Sequence, residues 1–159
     1  MANTFACRAD KKLFQLKCKV IICNSDSEIE VVALWDTGAQ CTCISHEAAD
    51  QLGLCPITMK PLSGATGSGI RPVYEVDILL PNKVLVPSCK VAEVDIGKDG
   101  LGLLIGMDII SCGDFLIQNY KDKTTFSFRV PPEPIDDFAE WDEKKLLRKK
   151  MHGKGKKKK

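Results

Sequence analysis

Alternating apolar and polar positions predict that most of this chain forms short β-strands. Residues 13–23 alternate and then become continuously apolar, and a second apolar run at residues 28–35 follows a turn-prone segment. We expect these two runs to pair as a β-hairpin that leads into Asp36. The apolar segments at residues 115–120 and 124–130 predict another hairpin, which closes the strand-rich part of the chain.

The middle of the chain predicts a hairpin with a glycine-rich tip. Two β-prone arms within residues 57–80 flank a tip at residues 63–69. The sequence of the tip is Ser63-Gly64-Ala65-Thr66-Gly67-Ser68-Gly69. Another strand is expected within residues 83–96. A glycine-rich tip of this kind allows hinge motion and close approach of the backbone to a ligand.

Two short helices interrupt the predicted strands. Ser45 can cap a helix over residues 46–52, which Gly53 ends, and residues 107–112 favour a second helix after the strongly apolar segment 101–106. Turn signals recur at about the 8–12-residue spacing that is typical of all-β domains. We therefore expect about eight or nine strands in an all-β fold that resembles a small closed barrel rather than a parallel sheet.

The segment Pro131-Pro132-Glu133-Pro134 ends the predicted domain, which we assign to residues 1–130. After this Pro-rich linker, residues 135–151 have helical spacing of apolar positions, with an acidic start and a basic end that suit the helix dipole. The Lys-rich tail that follows is expected to be disordered. Residues 131–159 therefore form an appendage to the domain.

Charge is distributed unevenly along the chain. The net charge is +2, but ten Lys or Arg residues and no acidic residue follow Glu143, whereas residues 1–143 contain 13 basic and 21 acidic residues. The tail predicts at most a weak, non-specific anionic partner. No apolar stretch is long enough to insert into a membrane. The N-terminus lacks the apolar core of a signal peptide, so we expect a cytoplasmic protein.

The eight cysteines are expected to remain reduced and to pack as small apolar residues. They are Cys7, Cys18, Cys23, Cys41, Cys43, Cys55, Cys89 and Cys112. Cys41, Cys43 and His46 could suggest a metal site, but the spacing lacks a matching second half. We therefore expect no metal site, and we expect the two cysteines to share one face of a strand.

The segment Leu34-Trp35-Asp36-Thr37-Gly38-Ala39 contains a candidate functional carboxylate, that of Asp36. An aspartate is costly to bury without a partner, glycine permits backbone geometry that a side chain blocks, and a threonine hydroxyl can fix a loop by hydrogen bonding. Together they hold a carboxylate rigidly at the end of a strand. Taken alone, the segment also fits an ordinary Asx turn. Trp35 can either pack under the loop or reach an interface.

The order of the segments resembles the retropepsin family of aspartic proteases. Asp36-Thr37-Gly38-Ala39 follows an apolar strand, a flap-like hairpin comes next, and Leu103-Leu104-Ile105-Gly106 precedes a short helix. The stretches DTGAQCTCIS and LLIGMDII are similar to the retroviral-protease-like domain of DNA-damage-inducible ubiquitin-shuttle proteins and to bacterial and phage relatives. The resemblance covers residues 11–130. It implies a retropepsin-like, acid-protease barrel subunit that is active as a homodimer.

The resemblance also implies roles for individual residues. Asp36 would be catalytic, and Thr37, Gly38 and Ala39 would complete the active-site loop, with Thr37 bracing the partner loop. The flap that closes over the substrate would contain Gly64, Ala65, Thr66, Gly67, Ser68 and Gly69. Leu104, Ile105 and Gly106 would be structural residues near the site.

Aspartic peptidases need two carboxylates that share one proton, and this chain supplies only one Asp-Thr-Gly. Asp108 begins the predicted helix at residues 107–112, where it can cap the helix or interact with its dipole, so we expect a structural role for it. The second Asp36 would then come from another copy of the chain across a two-fold axis. This chemistry needs no cofactor.

The sequence therefore predicts an aspartic endopeptidase that hydrolyses extended polypeptide substrates as a homodimer. The alternative is a catalytically silent dimerisation and peptide-binding module with a basic C-terminal arm. The intact Asp36-Thr37-Gly38 favours the enzyme.

Overall fold

The computed structural model describes residues 3–64, 67–134 and 137–153. The strands are β1 (Asn3–Arg8), β2 (Leu16–Cys23), β3 (Glu28–Trp35), β4 (Cys43–Ser45), β5 (Thr58–Gly64), β6 (Gly67–Leu79), β7 (Leu85–Val94), β8 (Leu103–Ile105), β9 (Asp114–Tyr120) and β10 (Lys123–Val130). The helices are α1 (His46–Gln51), α2 (Met107–Ile110) and α3 (Phe138–Gly153), and a single 3₁₀ turn spans Gly97–Asp99. The mainly β architecture confirms the predicted fold class.

Six strands close into a ring. Their hydrogen-bonded order is β2-β3-β8-β4-β7-β6, and β6 pairs back with β2 through residues 77–79. The β3–β8 and β4–β7 pairs are parallel, and the other neighbours in the ring are antiparallel. β5 pairs with β6, so these two strands extend beyond the ring as a hairpin, as the sequence predicted.

A separate three-stranded sheet has the order β1-β10-β9. The β9–β10 hairpin was predicted, but β1 was not, because its few apolar residues form no extended pattern and its partner strand lies at the other end of the domain. This sheet covers one end of the barrel with buried Phe126 and Phe128. β9 is therefore an edge strand of the sheet, with its other edge free of a partner strand within the described residues.

The core is formed by the inward-facing residues of the ring and the aromatic residues of the second sheet. Its fully buried members include Ile22, Ala33, Ile44, Ile78, Val91, Leu103, Ile105, Phe126 and Phe128. The alternation along β8 is clear, because Leu103 and Ile105 point into this core while Leu104 points to the outer side of the ring. The outer side of β8 is therefore available to help form a site.

The helices follow the sequence signals, with differences of two or three residues at most in their bounds. The Ser45 side chain accepts a hydrogen bond from the Ala48 N–H and caps α1, and Gly53 adopts a positive φ of 61° just beyond this helix. α3 begins at Phe138 rather than at residue 135. α3 ends at Gly153, the first residue of the segment 153–159 that was predicted to be disordered. Residues 135–136 and 154–159 lie outside the described residues.

Candidate active site

Asp36 lies at the point where β3 leaves the barrel. Its backbone N–H donates to the Ile105 carbonyl across 2.9 Å, which continues the pairing of β3 with β8 by one residue. Its side-chain Oδ1 accepts the Gly38 N–H at 2.8 Å, and its carbonyl accepts the Ala39 N–H at 3.2 Å. These bonds fix the carboxylate at the start of a tight loop. Thr37 and Gly38 in this loop are exposed.

Gly106 lies directly against the loop that carries Asp36. A Cβ atom at this position would be 2.6 Å from the carbonyl carbon of Cys41 and 3.1 Å from the Ala39 oxygen. The next N–H, that of Met107, donates to the same Ala39 oxygen at 2.8 Å. The segment after β8 therefore contacts the active-site loop through backbone atoms, at a separation that only glycine allows.

Hydrogen bonds between Thr42 and Asp108 join the active-site loop to the segment that follows β8. The Asp108 carboxylate accepts the Thr42 N–H at 2.8 Å and the Thr42 hydroxyl at 2.7 Å, and the hydroxyl oxygen in turn accepts the Gly106 N–H at 3.2 Å. Gly106, not Asp108, occupies the N-cap position of α2, and Asp108 lies in the first turn of this helix, where its carboxylate accepts the Ile109 N–H at 3.0 Å. Of the two structural roles expected for Asp108, the N-cap is therefore wrong, and the position near the positive end of the helix dipole is confirmed. Asp108 also binds the strand that follows the active-site loop.

Thr42 is a residue that sequence reasoning missed. It is fully buried, and both its partners come from a segment more than sixty positions away. A lone threonine in a short β-prone stretch carries no local signal of such a contact. Its hydroxyl both donates and accepts, which a buried hydroxyl must do to compensate for lost hydration.

Trp35 packs beneath the loop, which decides between the two alternatives left by the sequence. The side chain is buried, and its ring stacks on Phe115 with centroids 5.3 Å apart and an interplanar angle of 11°. Phe5 and Phe128 also contact the ring, and its Nε1–H donates to the Cys18 sulfur at 3.1 Å. Asp36 therefore directly follows a residue that is packed in an aromatic cluster, and this cluster joins the barrel to the three-stranded sheet.

An apolar patch lies on the outer face of the ring beside the loop, and we call it the floor patch. Its members are Cys43, Val73 and Ala92, with Cys41, Leu62, Val94 and Leu104 packed against them. Leu104 belongs to β8, whose neighbour β3 ends one residue before Asp36, and Leu62 comes from the β5–β6 hairpin. The floor patch therefore connects β8, which lies beside the Asp36 loop, with the β5–β6 hairpin.

The β5–β6 hairpin, called the flap below, contains the predicted flap residues at its tip. Gly64 pairs with Gly67, Ser63 pairs with Ser68, and the two serine hydroxyls are hydrogen-bonded at 3.0 Å. Gly67 has a φ of 114°, which favours glycine there. Ala65 and Thr66 lie outside the described residues. The tip residues that are described, including Gly69, are exposed.

Two cysteine thiols near the site, those of Cys43 and Cys89, have raised pKa values. Burial is the main cause that raises the pKa of Cys43 to about 12, and burial likewise raises the pKa of Cys89 to about 12. A thiol with such a pKa is a poor nucleophile near neutral pH. The His46 Nδ1 lies 3.3 Å from a carboxylate oxygen of Glu93. The described residues contain no group of three His, Cys, Asp or Glu side chains that could hold a metal ion.

The fold and this loop define a class of protein. The chain superposes on a retropepsin-like aspartic protease from Rickettsia conorii with a TM-score of 0.53 at 13% identity, over 81% of this chain and 95% of that chain. The retroviral protease-like domain of Ddi1 from Leishmania major is also similar, with a TM-score of 0.40 at 16% identity, over 68% of this chain and 80% of that chain. The superposition on the Rickettsia conorii protein shows that the fold is retropepsin-like.

The sequence identifies the family. Residues 19–109 match the aspartyl protease family, and this range contains both the Asp36 loop and Gly106. The chain belongs to the aspartyl protease family. A comparison with curated proteins gives no match. Across the part of the chain that the structure describes, none of the helices is long and apolar enough to cross a membrane.

Proposed function

We propose that this protein is an aspartic endopeptidase that hydrolyses peptide bonds in extended polypeptides. The observation that supports the proposal is the fixed position of the Asp36 carboxylate, which accepts the Gly38 N–H. The loop that contains Asp36 is hydrogen-bonded to Ile105 of β8 and packs against Gly106. A single subunit supplies one such loop. The second carboxylate is then Asp36 of an identical subunit related by a two-fold axis.

The reaction follows from two carboxylates that meet and share one proton. The ionised carboxylate removes a proton from a water molecule, and the water oxygen attacks the carbonyl carbon of the scissile peptide bond. The protonated carboxylate donates a hydrogen bond to the carbonyl oxygen as the tetrahedral intermediate forms. The carboxyl group that took the proton from water then gives it to the peptide nitrogen, the C–N bond breaks, and the amine leaves. Asp36, Thr37, Gly38 and Ala39 form the loop that does this work.

An extended substrate would lie between the flap and the floor patch. The flap residues Gly64, Ala65, Thr66, Gly67, Ser68 and Gly69 provide backbone groups for added-strand pairing, and apolar side chains of the substrate would rest on the floor patch. Leu104, Ile105 and Gly106 support this surface from the side of Asp36. Leu62 contacts the floor patch from the flap, which supports closure of the flap over this region.

We infer that β9 forms the dimer interface. It is the edge strand of its sheet and exposes Leu116, Ile117 and Tyr120, whereas the other edge strand, β1, has its Asn3 carbonyl bound by the Asn82 side chain at 2.9 Å. An exposed apolar edge strand readily pairs with another chain. Antiparallel pairing of β9 with its symmetry mate would join two three-stranded sheets into one six-stranded sheet.

Leu116→Asp is expected to separate the dimer and to abolish cleavage. Leu116 pairs in register with Ser127 and points away from the buried Phe126 side of the sheet, so the change places two like charges near the two-fold axis without entering the core. Loss of an interface anchor costs about 2 kcal/mol or more, which is about 30-fold in the dissociation constant. Light scattering and peptide cleavage at matched concentrations measure the two effects.

The control for that change is Leu85→Asp. Leu85 is also half exposed, but it begins β7 beside the β6–β7 turn, at the end of the barrel away from the flap. We expect this variant to remain dimeric and active. A monomeric Leu116→Asp protein with wild-type cleavage would refute both the interface and the shared site.

Digestion of an unstructured peptide library at mildly acidic pH tests the proposed activity. Wild-type protein should cleave internal peptide bonds, and Asp36→Asn protein should not. Equal cleavage by the two proteins would contradict the proposal that Asp36 is catalytic. Undetectable cleavage by both, with peptide binding retained, would favour the silent dimerisation and peptide-binding module with a basic arm.

We also propose that residues 1–130 form the protease domain and that residues 131–159 form an appendage. The described α3 side chains from Phe138 to Arg148 are exposed, and Arg129 joins Asp114 and Glu133 where the linker leaves the sheet. Removal of residues 135–159 should leave peptide cleavage unchanged. It should also remove salt-sensitive retention on a phosphate-rich column, because ten basic residues are lost. Loss of cleavage on truncation would contradict this division.

A further inference from the structure

Two positive charges face each other on the flap. The register of β5 and β6 pairs Lys60 with Arg71, and both side chains are exposed. Directly opposed residues of an antiparallel pair lie on the same face, where like charges are destabilising. Within residues 3–64, 67–134 and 137–153, neither side chain forms an ion pair with a carboxylate. The flap therefore carries a local cost that the described structure does not offset.

The charged pair lies on the face of the flap that is turned toward the floor patch. Side chains alternate along a strand, and the β5–β6 register is unbroken from Thr58 to Gly64. Lys60 thus shares its face with Leu62, and Arg71 shares its face with Val73. Leu62 packs against the floor patch and Val73 belongs to it. The charged pair lies between these two contacts along the hairpin.

The direction of the Arg71 side chain agrees with this assignment. Its Nε lies 3.9 Å from the position that a Cβ would occupy on Gly69, so the side chain extends along the same face toward the flap tip. The opposite face of the flap carries Met59 and Ile70, which are exposed to solvent. Glu75 is on the same face of β6 as Arg71, but it lies opposite Lys90 in the register with β7.

We propose that Lys60 and Arg71 select an acidic side chain of the polypeptide substrate. This inference rests on the proposed function, because it assigns the substrate to the space between the flap and the floor patch. A substrate carboxylate beneath the flap would accept hydrogen bonds from the Arg71 guanidinium and the Lys60 ammonium, and it would relieve their mutual repulsion. Substrate side chains that reach the floor patch would be apolar, because that patch is apolar.

Paired peptides test the inference on the full-length protein. The first step is to find a peptide that the wild-type protein cleaves and the Asp36→Asn protein does not cleave. Glu or Gln is then placed at each position around the scissile bond of this peptide. At one position or more, we expect kcat/KM for the Glu peptide to exceed that for the Gln peptide by about fivefold, as one partly exposed ion pair provides. The preference should weaken as salt is raised.

Variants of the flap charges identify the source of the preference. Lys60→Gln combined with Arg71→Gln should bring the two peptides to about equal kcat/KM, and Lys60→Glu combined with Arg71→Glu should favour a Lys peptide instead. Removal of opposed like charges should not lower the thermal stability. Lys83→Gln, in the turn between β6 and β7, keeps the preference, because that turn is at the far end of β6 from the flap.

The outcomes separate this inference from the function on which it rests. Cleavage that depends on Asp36 but shows no Glu preference at any position would overturn the acidic selection and leave the protease intact. A preference that survives in the double Gln variant would also overturn it. If no peptide is cleaved by the wild-type protein, the proposed function fails, and the acidic selection fails with it.

Discussion

Mixing wild-type subunits with Asp36→Asn subunits is expected to reduce cleavage as the square of the wild-type fraction. At equal amounts, about one quarter of the dimers carry two intact Asp36 side chains, because subunits of a symmetric dimer assort at random. The Asp36→Asn homodimer is expected to lose about 10²-fold to 10⁴-fold in rate, since it lacks the group that accepts the proton from water. A heterodimer has one carboxylate and should be equally impaired.

The measurement is the initial rate of peptide cleavage at fixed total protein, after subunit exchange has been confirmed with labelled chains. A site completed within one chain would instead give a rate that is linear in the wild-type fraction. Asp36→Asn combined with Leu116→Asp provides the matched control, because this protein should not enter dimers and should not suppress wild-type cleavage. A rate that is linear in the wild-type fraction would contradict the shared site and would make Asp108 the candidate for the second carboxylate.

Asp108 itself is a poor candidate for the second carboxylate. Both its oxygens accept hydrogen bonds from Thr42, and one of them also accepts the Ile109 N–H at 3.0 Å. A carboxylate with this many fixed donors serves to hold neighbouring segments together. This geometry favours the proposed arrangement that the mixing experiment tests, in which each subunit contributes one Asp36.

Local pattern was enough to predict the elements that surround Asp36. The β2–β3 hairpin, the flap and the β9–β10 hairpin each join neighbouring runs of apolar residues, so their turn residues and strand alternation are close together in sequence. The Ser45 cap of α1 is equally local. These elements could be predicted because their stabilising contacts span few residues.

The parts that were missed depend on contacts between distant residues. β1 pairs with β10 across most of the chain, and the ring closes only where β6 meets β2. The sequence placed Asp108 at the start of α2, but it did not show that the same carboxylate also binds Thr42. A single sequence carries propensity and periodicity, and neither specifies which distant segment will supply a hydrogen-bond partner. The opposed charges of Lys60 and Arg71 likewise emerged only from the strand register.

Gly106→Ala is expected to lower the free energy of unfolding by about 3 kcal/mol and to impair cleavage by the protein that remains folded. The added Cβ would lie 2.6 Å from the Cys41 carbonyl carbon and 2.7 Å from the Cys41 oxygen. These are backbone atoms, so no change of side-chain rotamer can relieve the overlap. The segment from Ala39 to Cys41 must move away from β8, or the start of α2 must move.

Either movement breaks the hydrogen bonds that hold the site. Met107 donates to the Ala39 oxygen, and Gly106 donates to the Thr42 hydroxyl, so displacement of Gly106 loosens both ends of the loop that begins at Asp36. In the shared site, the two Asp36 carboxylates must approach within hydrogen-bond distance. A small shift in each loop is applied twice across the two-fold axis, so the loss of activity should exceed the loss of folded protein.

Thermal unfolding and cleavage per folded subunit separate the two effects. Both proteins are compared at the same concentration, because the proposed dimer would couple stability to concentration. We expect Tm to fall by about 10 °C for a chain of this length. Gly64→Ala is the matched control for stability, because a Cβ there meets no atom within 4 Å, and its effect should stay within about 0.5 kcal/mol. Wild-type Tm and wild-type cleavage in Gly106→Ala would show that the loop can move aside freely, which would contradict a rigidly held Asp36.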